Sequence, residues 1–216
     1  SLAQRRFDPT IQRIKAPNDA GEIGTPEIIS ITSRDPSPPP VEYIRTSAGY
    51  FRDSTIHDLD LARWLLNEDV VEVSAFGSNL VDDAIRNAGD LDTAITNLLS
   101  VSGRLCQINN FRRAVYGFDQ RVEVFGSKGM LQTVNQMESG LLRWLADGTA
   151  HQDRLKLFFL ERYADSFCIE LDNFWDAVEA GKQPEVNGED GRRALLLANA
   201  AQTSAETGKA VSLDAT

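Results

Sequence analysis

The sequence contains little cysteine, little histidine and no long apolar run. Its 216 residues include two cysteines and two histidines. Two cysteines are too few for a disulfide framework in a chain of this size, so we expect a reducing, cytoplasmic compartment. No apolar stretch approaches the roughly 20 residues that a membrane-spanning helix needs. The opening residues, SLAQRR, lack the apolar centre of a signal peptide.

Positive charge is also in the minority. Lys and Arg number 22 against 32 Asp and Glu, which gives a formal net charge of −10. The basic residues occur at most in pairs such as Arg112-Arg113. A surface of this composition repels polyphosphate and anionic lipid, so we expect neither a nucleic-acid partner nor a membrane partner.

The hydrophobic pattern predicts several strands between four helices. A short helix begins at the cap Asp8-Pro9 and ends at Ile14, before Pro17. The other helices are predicted over 54–66, 157–180 and 189–207, with Asn187 as a possible cap of the last and Gly208 as its end. Strands are predicted over 26–34, 70–80, 92–101, 105–115, 120–126 and 140–146.

This order of elements predicts one α+β domain over 1–216, a largely antiparallel open sheet with helices packed on one face. The helix over 157–180 is expected to cover one sheet face. Its aromatic residues are then expected in the helix-to-sheet core: Phe158, Phe159, Phe167, Phe174 and Trp175. The other sheet face must be covered as well, which predicts a homo-oligomer, a dimer or a tetramer, formed through that face.

The segment GYFRDSTIHDLD carries the strongest chemical signal. Asp53, His57 and Asp60 have helical spacing that predicts one shared face. A histidine titrates near neutral pH, and a carboxylate one turn away can orient it as a general base. Two alternatives remain open on spacing alone: a capped, solvated helix start, or a metal site completed by Asp35 or Asp58.

Read with its neighbours, this segment resembles a known family. The motifs occur in order as RRFDPTIQRIKA, GEIG, ITSRDP, GYFRDSTIHDLDLARWLL, YGFDQRVEVFGSKGML and FFLERYADSF. Together they closely resemble the C-terminal domain of the glucose-fructose oxidoreductase (Gfo/Idh/MocA) family, and most nearly its inositol 2-dehydrogenase branch. The resemblance covers nearly all residues after Ala3.

The resemblance implies a two-domain protein of which this chain is the substrate-binding and oligomerisation domain. Family members bind NAD or NADP in an N-terminal domain, but these 216 residues contain neither G-x-G-x-x-G nor the Glu-Lys-Pro segment that supplies a catalytic lysine. We therefore expect a fragment or a truncated gene product, inactive alone. No metal is implied.

The resemblance also implies roles for single residues. His57 matches the general acid/base for a polyol or sugar substrate, and Asp53 matches its partner at the substrate hydroxyl. Asp60, Asp35 and Tyr116 match substrate contacts. Without the family context, Tyr116 reads as a packing residue at a strand end.

Phe167 stands where some inositol-oxidising relatives carry a tyrosine, and the exchange removes a hydroxyl contact to a polyol. The resemblance implies NAD or NADP as the cofactor. The alternative function is a non-catalytic binding or assembly module with the same fold. A metal-dependent, sugar isomerase-like site is a third possibility.

Overall fold

The computed structural model describes residues 3–214, and within them seven strands form one sheet. The strand order is β6-β5-β1-β4-β3-β2-β9. All neighbours are antiparallel except β1 and β4, which are parallel. A separate hairpin pairs β7 with β8. The strands are β1 Pro26–Arg34, β2 Val70–Ser78, β3 Thr93–Ser100, β4 Leu105–Phe111, β5 Asp119–Gly126, β6 Gly129–Gln132, β7 Leu142–Trp144, β8 Ala150–Gln152 and β9 Val211–Ser212.

Helices connect and cover these strands. The α-helices are α1 Pro9–Asp19, α2 Val41–Ile44, α3 Ile56–Leu66, α4 Asp83–Asn87, α5 Phe159–Arg162, α6 Ala164–Glu179 and α7 Gly188–Thr207. A 3-10 turn, Gln4–Phe7, precedes α1, and a π-helical turn, Phe51–Thr55, leads directly into α3. None of the helices within residues 3–214 is both long enough and apolar enough to cross a membrane. The α+β prediction is confirmed.

Helix α1 begins as predicted but ends later. The Asp8 carboxylate accepts hydrogen bonds from the backbone N–H groups of Thr10 and Ile11. The predicted end at Ile14 is wrong, because the helix continues through Pro17 to Asp19. Asn18 donates from its side chain to the carbonyl of Leu65 at 2.9 Å, so contacts with α3 hold a last turn that proline would otherwise disfavour.

Helices α3 and α7 fill the inner face of the sheet. Helix α7 begins at the predicted cap Asn187 and ends at Gly208, which has a φ of 67°. Its Ser204 hydroxyl accepts from the backbone N–H of Ala75 in β2 at 2.9 Å. The central core residues come from both helices and the sheet, and include Leu59, Leu65, Val73, Leu98, Ile108, Ala198 and Ala201.

Helix α6 does not cover the sheet, which corrects the sequence prediction. It packs near the 3-10 turn, and Ser166 is its one buried residue. Because α3 and α7 already occupy the inner face, the apolar stripe of α6 stays exposed. The predicted aromatic core is accordingly wrong: Phe158, Phe159, Phe174 and Trp175 are all more than 40% exposed. An amphipathic pattern predicts an apolar helix face but not what covers it.

The outer face of the sheet is open in this chain. Ile28 of β1 lies beside Leu105 of β4 and Phe125 of β5, and Phe125 pairs with Met130 of β6. All four of these side chains are between 45% and 49% exposed. Apolar residues from several adjacent strands therefore form a continuous uncovered surface.

Candidate active site

The candidate site lies at the end of the sheet where β1 and β4 finish together. Arg34 is the register partner of Phe111 at the ends of these parallel strands. The next residues, Asp35 and Arg112, therefore leave the sheet side by side. The backbone N–H of Asp35 donates to the Phe111 carbonyl at 2.9 Å, which holds the two chain segments together beyond the strands. Polar side chains on adjacent segments at a strand end commonly build a ligand site.

The π-helical turn Phe51–Thr55 brings the segment GYFRDSTIHDLD to this edge. The backbone reaches it through Ala48 and Gly49, with φ values of 69° and 93°. The Asp90 carboxylate then accepts from the backbone N–H of Tyr50 at 2.8 Å. A π-turn closes hydrogen bonds over five residues instead of four, so its side chains leave the positions expected for an α-helix. The predicted helix start at Ser54 lies inside this turn.

Asp53 is half-buried on the π-turn and has two partners. The Tyr43 hydroxyl donates to its carboxylate at 2.6 Å. A guanidinium nitrogen of Arg112, Nη2, lies 3.4 Å from the other carboxylate oxygen. Asp53 is thus held between a phenol and a cation.

His57 lies on the first turn of α3 and is half-buried. The next residue, Asp58, is completely buried and forms an ion pair with Arg5. The side-chain amide of Asn110 donates to Asp58 at 2.8 Å. Burial raises the pKa of Asp58, while Arg5 and Asn110 oppose that rise. Buried contacts on Asp58 therefore fix the helix turn that carries His57.

Asp35 is a carboxyl group near the site whose pKa is displaced upward. Burial raises its pKa to about 6. The charges of Arg5 and Arg112 lower the pKa, and those of Asp58 and Asp53 raise it further. A carboxyl group with a pKa near neutrality can exchange a proton under ordinary conditions.

Asp60 faces a different environment from Asp53. It is buried, and both of its carboxylate oxygens accept hydrogen bonds from the Arg6 guanidinium. The spacing predicted one face for Asp53, His57 and Asp60. Asp53 and Asp60 do not share such a face, because they contact different arginines. Asp60 as a substrate contact remains a prediction that this geometry disfavours, because the side chain is 1% exposed and is turned toward Arg6.

Tyr116 lies at the same end of the sheet in a second polar cluster. Its hydroxyl donates to Asp119 at 2.6 Å and accepts from Arg34 at 3.1 Å. Burial would raise the pKa of Asp119, but hydrogen bonds from Arg121, Tyr116 and Asn135 lower it overall. Half of the Tyr116 surface is exposed, as expected of a packing residue at the rim, but its hydroxyl is hydrogen-bonded to side chains.

An open cavity of about 620 Å³ lies beside Tyr116, between the β5–β6 edge and the segment that follows β8. Its lining includes Asp119, Arg121, Asn135 and Arg154. His57 and Asp53 do not line it. The cavity and the π-turn are thus two separate features of this end of the domain.

Arg112 is the main residue of the site that sequence reasoning did not identify. Its side chain is 1% exposed, and its guanidinium lies over the Tyr50 ring at 4.5 Å. A nitrogen of this group, Nη1, lies 3.6 Å from the Asp90 carboxylate. The sequence shows two adjacent arginines, and nothing in it distinguishes the buried Arg112 from the exposed Arg113.

The metal alternative finds no support among residues 3–214, where no group of three or more His, Cys, Asp or Glu side chains could hold an ion. Asp53 and Asp60, two of the three ligands that this alternative needs, engage different arginines.

Comparisons with known proteins agree with this architecture. The chain is 50% identical over 97% of its length to myo-inositol 2-dehydrogenase from Thermotoga maritima. Its fold matches a myo-inositol dehydrogenase from Corynebacterium glutamicum ATCC 13032, with a TM-score of 0.94, 43% identity, and coverage of 99% of this chain and 64% of that one. It also matches scyllo-inositol dehydrogenase from Lactobacillus casei with bound NAD(H) and scyllo-inositol, with a TM-score of 0.87, 26% identity, and coverage of 97% and 63%.

The chain spans about 63% of the length of the T. maritima relative. The profile of the GFO/IDH/MocA C-terminal domain matches residues 11–132, more than half of the chain. The chain therefore belongs to the GFO/IDH/MocA family, as a C-terminal domain.

Proposed function

We propose that this chain is the substrate-binding domain of an NAD(P)-dependent polyol dehydrogenase that oxidises a ring hydroxyl of an inositol. The observation that carries the proposal is the placement of His57, Asp53 and Asp35 on segments that meet at the end of β1 and β4. The names of the relatives support inositol as the substrate class.

His57 is the proposed general acid/base. Imidazole titrates near neutral pH, so its neutral form can accept the proton of a secondary hydroxyl as the carbonyl forms. Asp53, on the preceding π-turn, is the proposed partner of His57 at the substrate hydroxyl. Because Tyr43 and Arg112 already hold the Asp53 carboxylate, it needs little rearrangement during the reaction.

Asp35 and Tyr116 are the proposed substrate contacts. An inositol presents a hydroxyl on every ring carbon, so several directional donors and acceptors are needed to choose one of them. Asp35 can accept or donate according to pH because its pKa is about 6. Tyr116 offers a half-exposed hydroxyl at the same end of the sheet. Asp60 is not included among these contacts, because it is buried against Arg6.

The dinucleotide does not fit within this chain. The 216 residues contain no G-x-G-x-x-G segment to approach a pyrophosphate. We assign its binding, as NAD or NADP, to the part of the relatives that this chain does not span. When bound, a nicotinamide supplies the acceptor for the hydride that leaves the substrate carbon. The isolated chain is therefore expected to be inactive.

The test compares the two histidines in the full-length protein. His57→Ala should lower kcat for inositol oxidation by about 10²-fold to 10⁴-fold, the usual contribution of a general base. His151→Ala is the matched control, because His151 is exposed on β8 and should not affect the rate. NADH formation followed at 340 nm measures both.

Two results would contradict the proposal. Turnover by the isolated 216-residue chain would show that the cofactor site lies within it. An unchanged rate for His57→Ala would instead favour the non-catalytic binding or assembly module.

The open sheet face supports a homo-oligomer, a dimer or a tetramer, as a further part of the proposal. Phe125 is 46% exposed at the centre of the uncovered apolar surface. Phe125→Lys should place a charge in the subunit interface and lower the mass measured by light scattering. Val115→Lys, at an exposed loop position, is the control. An unchanged mass for Phe125→Lys would exclude this face as the interface.

A further inference from the structure

Arg112 is a buried cation beside the carboxylate of Asp53. Its side chain is 1% exposed, although it lies just beyond β4 at the open end of the sheet. Removing a guanidinium from water is costly unless other groups compensate its charge. Its surroundings should therefore show why the fold retains it.

The surroundings of Arg112 supply charge but few close hydrogen bonds. Its Nη2 lies 3.4 Å from Asp53 and 3.3 Å from the Ser54 hydroxyl. Its Nη1 lies 3.6 Å from Asp90, and the Tyr50 ring stacks on the guanidinium. Within residues 3–214, Nε and Nη1 have no hydrogen-bond acceptor. Arg112 thus bridges two carboxylates through charge, with donors still available.

The two carboxylates that Arg112 faces act at different points of the π-turn segment. Asp90 accepts from the backbone N–H of Tyr50, just before the turn, and Asp53 lies within it. A planar guanidinium can contact both carboxylates at once, whereas an ammonium group acts as a point charge. Arg112 therefore connects the anchored start of the turn to the carboxylate that it presents.

We propose that Arg112 is a positioning residue, which clamps the π-turn to the end of β4 and holds the Asp53 carboxylate in place for His57 and the substrate. This inference rests on the proposed function. Arg112 acts through Asp53 and does not itself contact the reacting atoms.

The pKa of Asp35 also reports on the charge of Arg112. The charged groups that act on Asp35 are Arg5, Arg112, Asp58 and Asp53. Burial raises the pKa of Asp35, and the charge of Arg112 lowers it. Loss of Arg112 should therefore raise the pKa of Asp35 further, because Arg5 is then the one cation left in this set.

The experiment uses Arg112→Met, Arg112→Lys and the control Arg113→Met in the full-length protein. Arg113 is the exposed neighbour and donates to the carbonyl of Leu80. Arg112→Met should lower kcat for inositol by about 10²-fold, the effect of a misplaced catalytic group, with a smaller change in KM. NADH affinity should not change. Arg112→Lys should recover part of the rate, because it restores the charge but not the planar group that reaches both carboxylates.

Carbon-13 NMR of the Asp35 and Asp53 carboxyl groups provides a readout that needs no turnover. The Asp35 midpoint should rise in Arg112→Met, and the Asp53 resonance should shift. Both should stay unchanged in Arg113→Met. If Arg112→Met does not fold, Arg112→Lys decides: reduced kcat at an unchanged KM supports the proposal, and a wild-type kcat overturns it.

Failure of the two proposals is distinguishable. A wild-type protein without inositol turnover would contradict the proposed function, and the NMR shifts would still report on Arg112. A folded Arg112→Met variant with wild-type kcat and unchanged Asp35 and Asp53 resonances would overturn the positioning role.

Discussion

Arg5 and Asp58 form a buried ion pair that joins the 3-10 turn near the start of the chain to the helix carrying His57. The Asp58 side chain is completely inaccessible, and that of Arg5 is 10% exposed. The adjacent Arg6 pairs with Asp60 on the same helix. Two consecutive arginines thus fix the helix on both sides of Leu59. The segments RRFD and IHDLD are therefore linked by two ion pairs.

Breaking this pair should destabilise the chain strongly. Arg5→Met leaves the Asp58 charge buried without its cation, and breaking a buried ion pair in this way costs about 3–5 kcal/mol. Urea unfolding followed by circular dichroism measures the free energy of unfolding. Arg86→Met is the control, because the Arg86–Asp83 pair is exposed and its removal should change little. Equal effects of the two substitutions would contradict a structural role for Arg5.

Asp35 should make the chain less stable as pH rises. Its pKa is about 6 in the folded state and 3.8 without the fold, so the folded chain binds more protons between these values. Stability therefore falls from about pH 4 to pH 6, by up to about 3 kcal/mol for a shift of about two units. Asp35→Asn should lack this fall. Free energies of unfolding at several pH values check it, and parallel curves for the two proteins would contradict it.

The two thiols should differ sharply in reactivity. Cys106 is buried in β4, and burial raises its pKa well above that of a free thiol. Cys168 is exposed on α6. A native chain should therefore react with one equivalent of Ellman's reagent, and the Cys168→Ser variant with none, because the thiolate is the reacting form. Rapid labelling of Cys168→Ser would show that β4 opens readily.

Helix α6 should tolerate polar substitutions in this chain. Leu171 is 68% exposed, so Leu171→Ser should barely change the free energy of unfolding. Leu65→Ala in α3 is the matched comparison, because Leu65 is fully buried and such truncations cost 2–5 kcal/mol. Thermal unfolding of both variants provides the measurement. A large loss for Leu171→Ser would show that the apolar face of α6 is covered.

Local sequence signals predicted most of the fold. The boundaries of β1 were predicted to the residue, and Asn187 and Gly208 delimit α7 because capping chemistry acts on neighbouring backbone groups. Helix α6 was placed on the wrong surface, since its periodicity carries no information about its partner. The parallel pairing of β1 with β4 was not predicted, because pairing over such a separation depends on the whole sheet.

The candidate site was less predictable than the fold. Sequence spacing grouped Asp53 with Asp60, but the π-turn and the pairing with Arg6 separate their environments. The sequence does not show that Arg112 lies in the site, because its position follows from β1 and β4 ending side by side. Helical spacing describes one element, whereas the surroundings of a charged group depend on every element that meets it.

The parallel pairing of β1 with β4 also bears on how the molecule assembles. Ser33 and Asn110 are in register and hydrogen-bonded although 77 positions separate them. The intervening chain contains the π-turn, α3, β2 and β3, so this long loop must close before Asp35 and Arg112 can meet. Closing such a loop carries an entropic cost ahead of any contact energy, and distant contacts slow folding. During refolding, helical structure should therefore return well before the polar groups at the end of the sheet find one another.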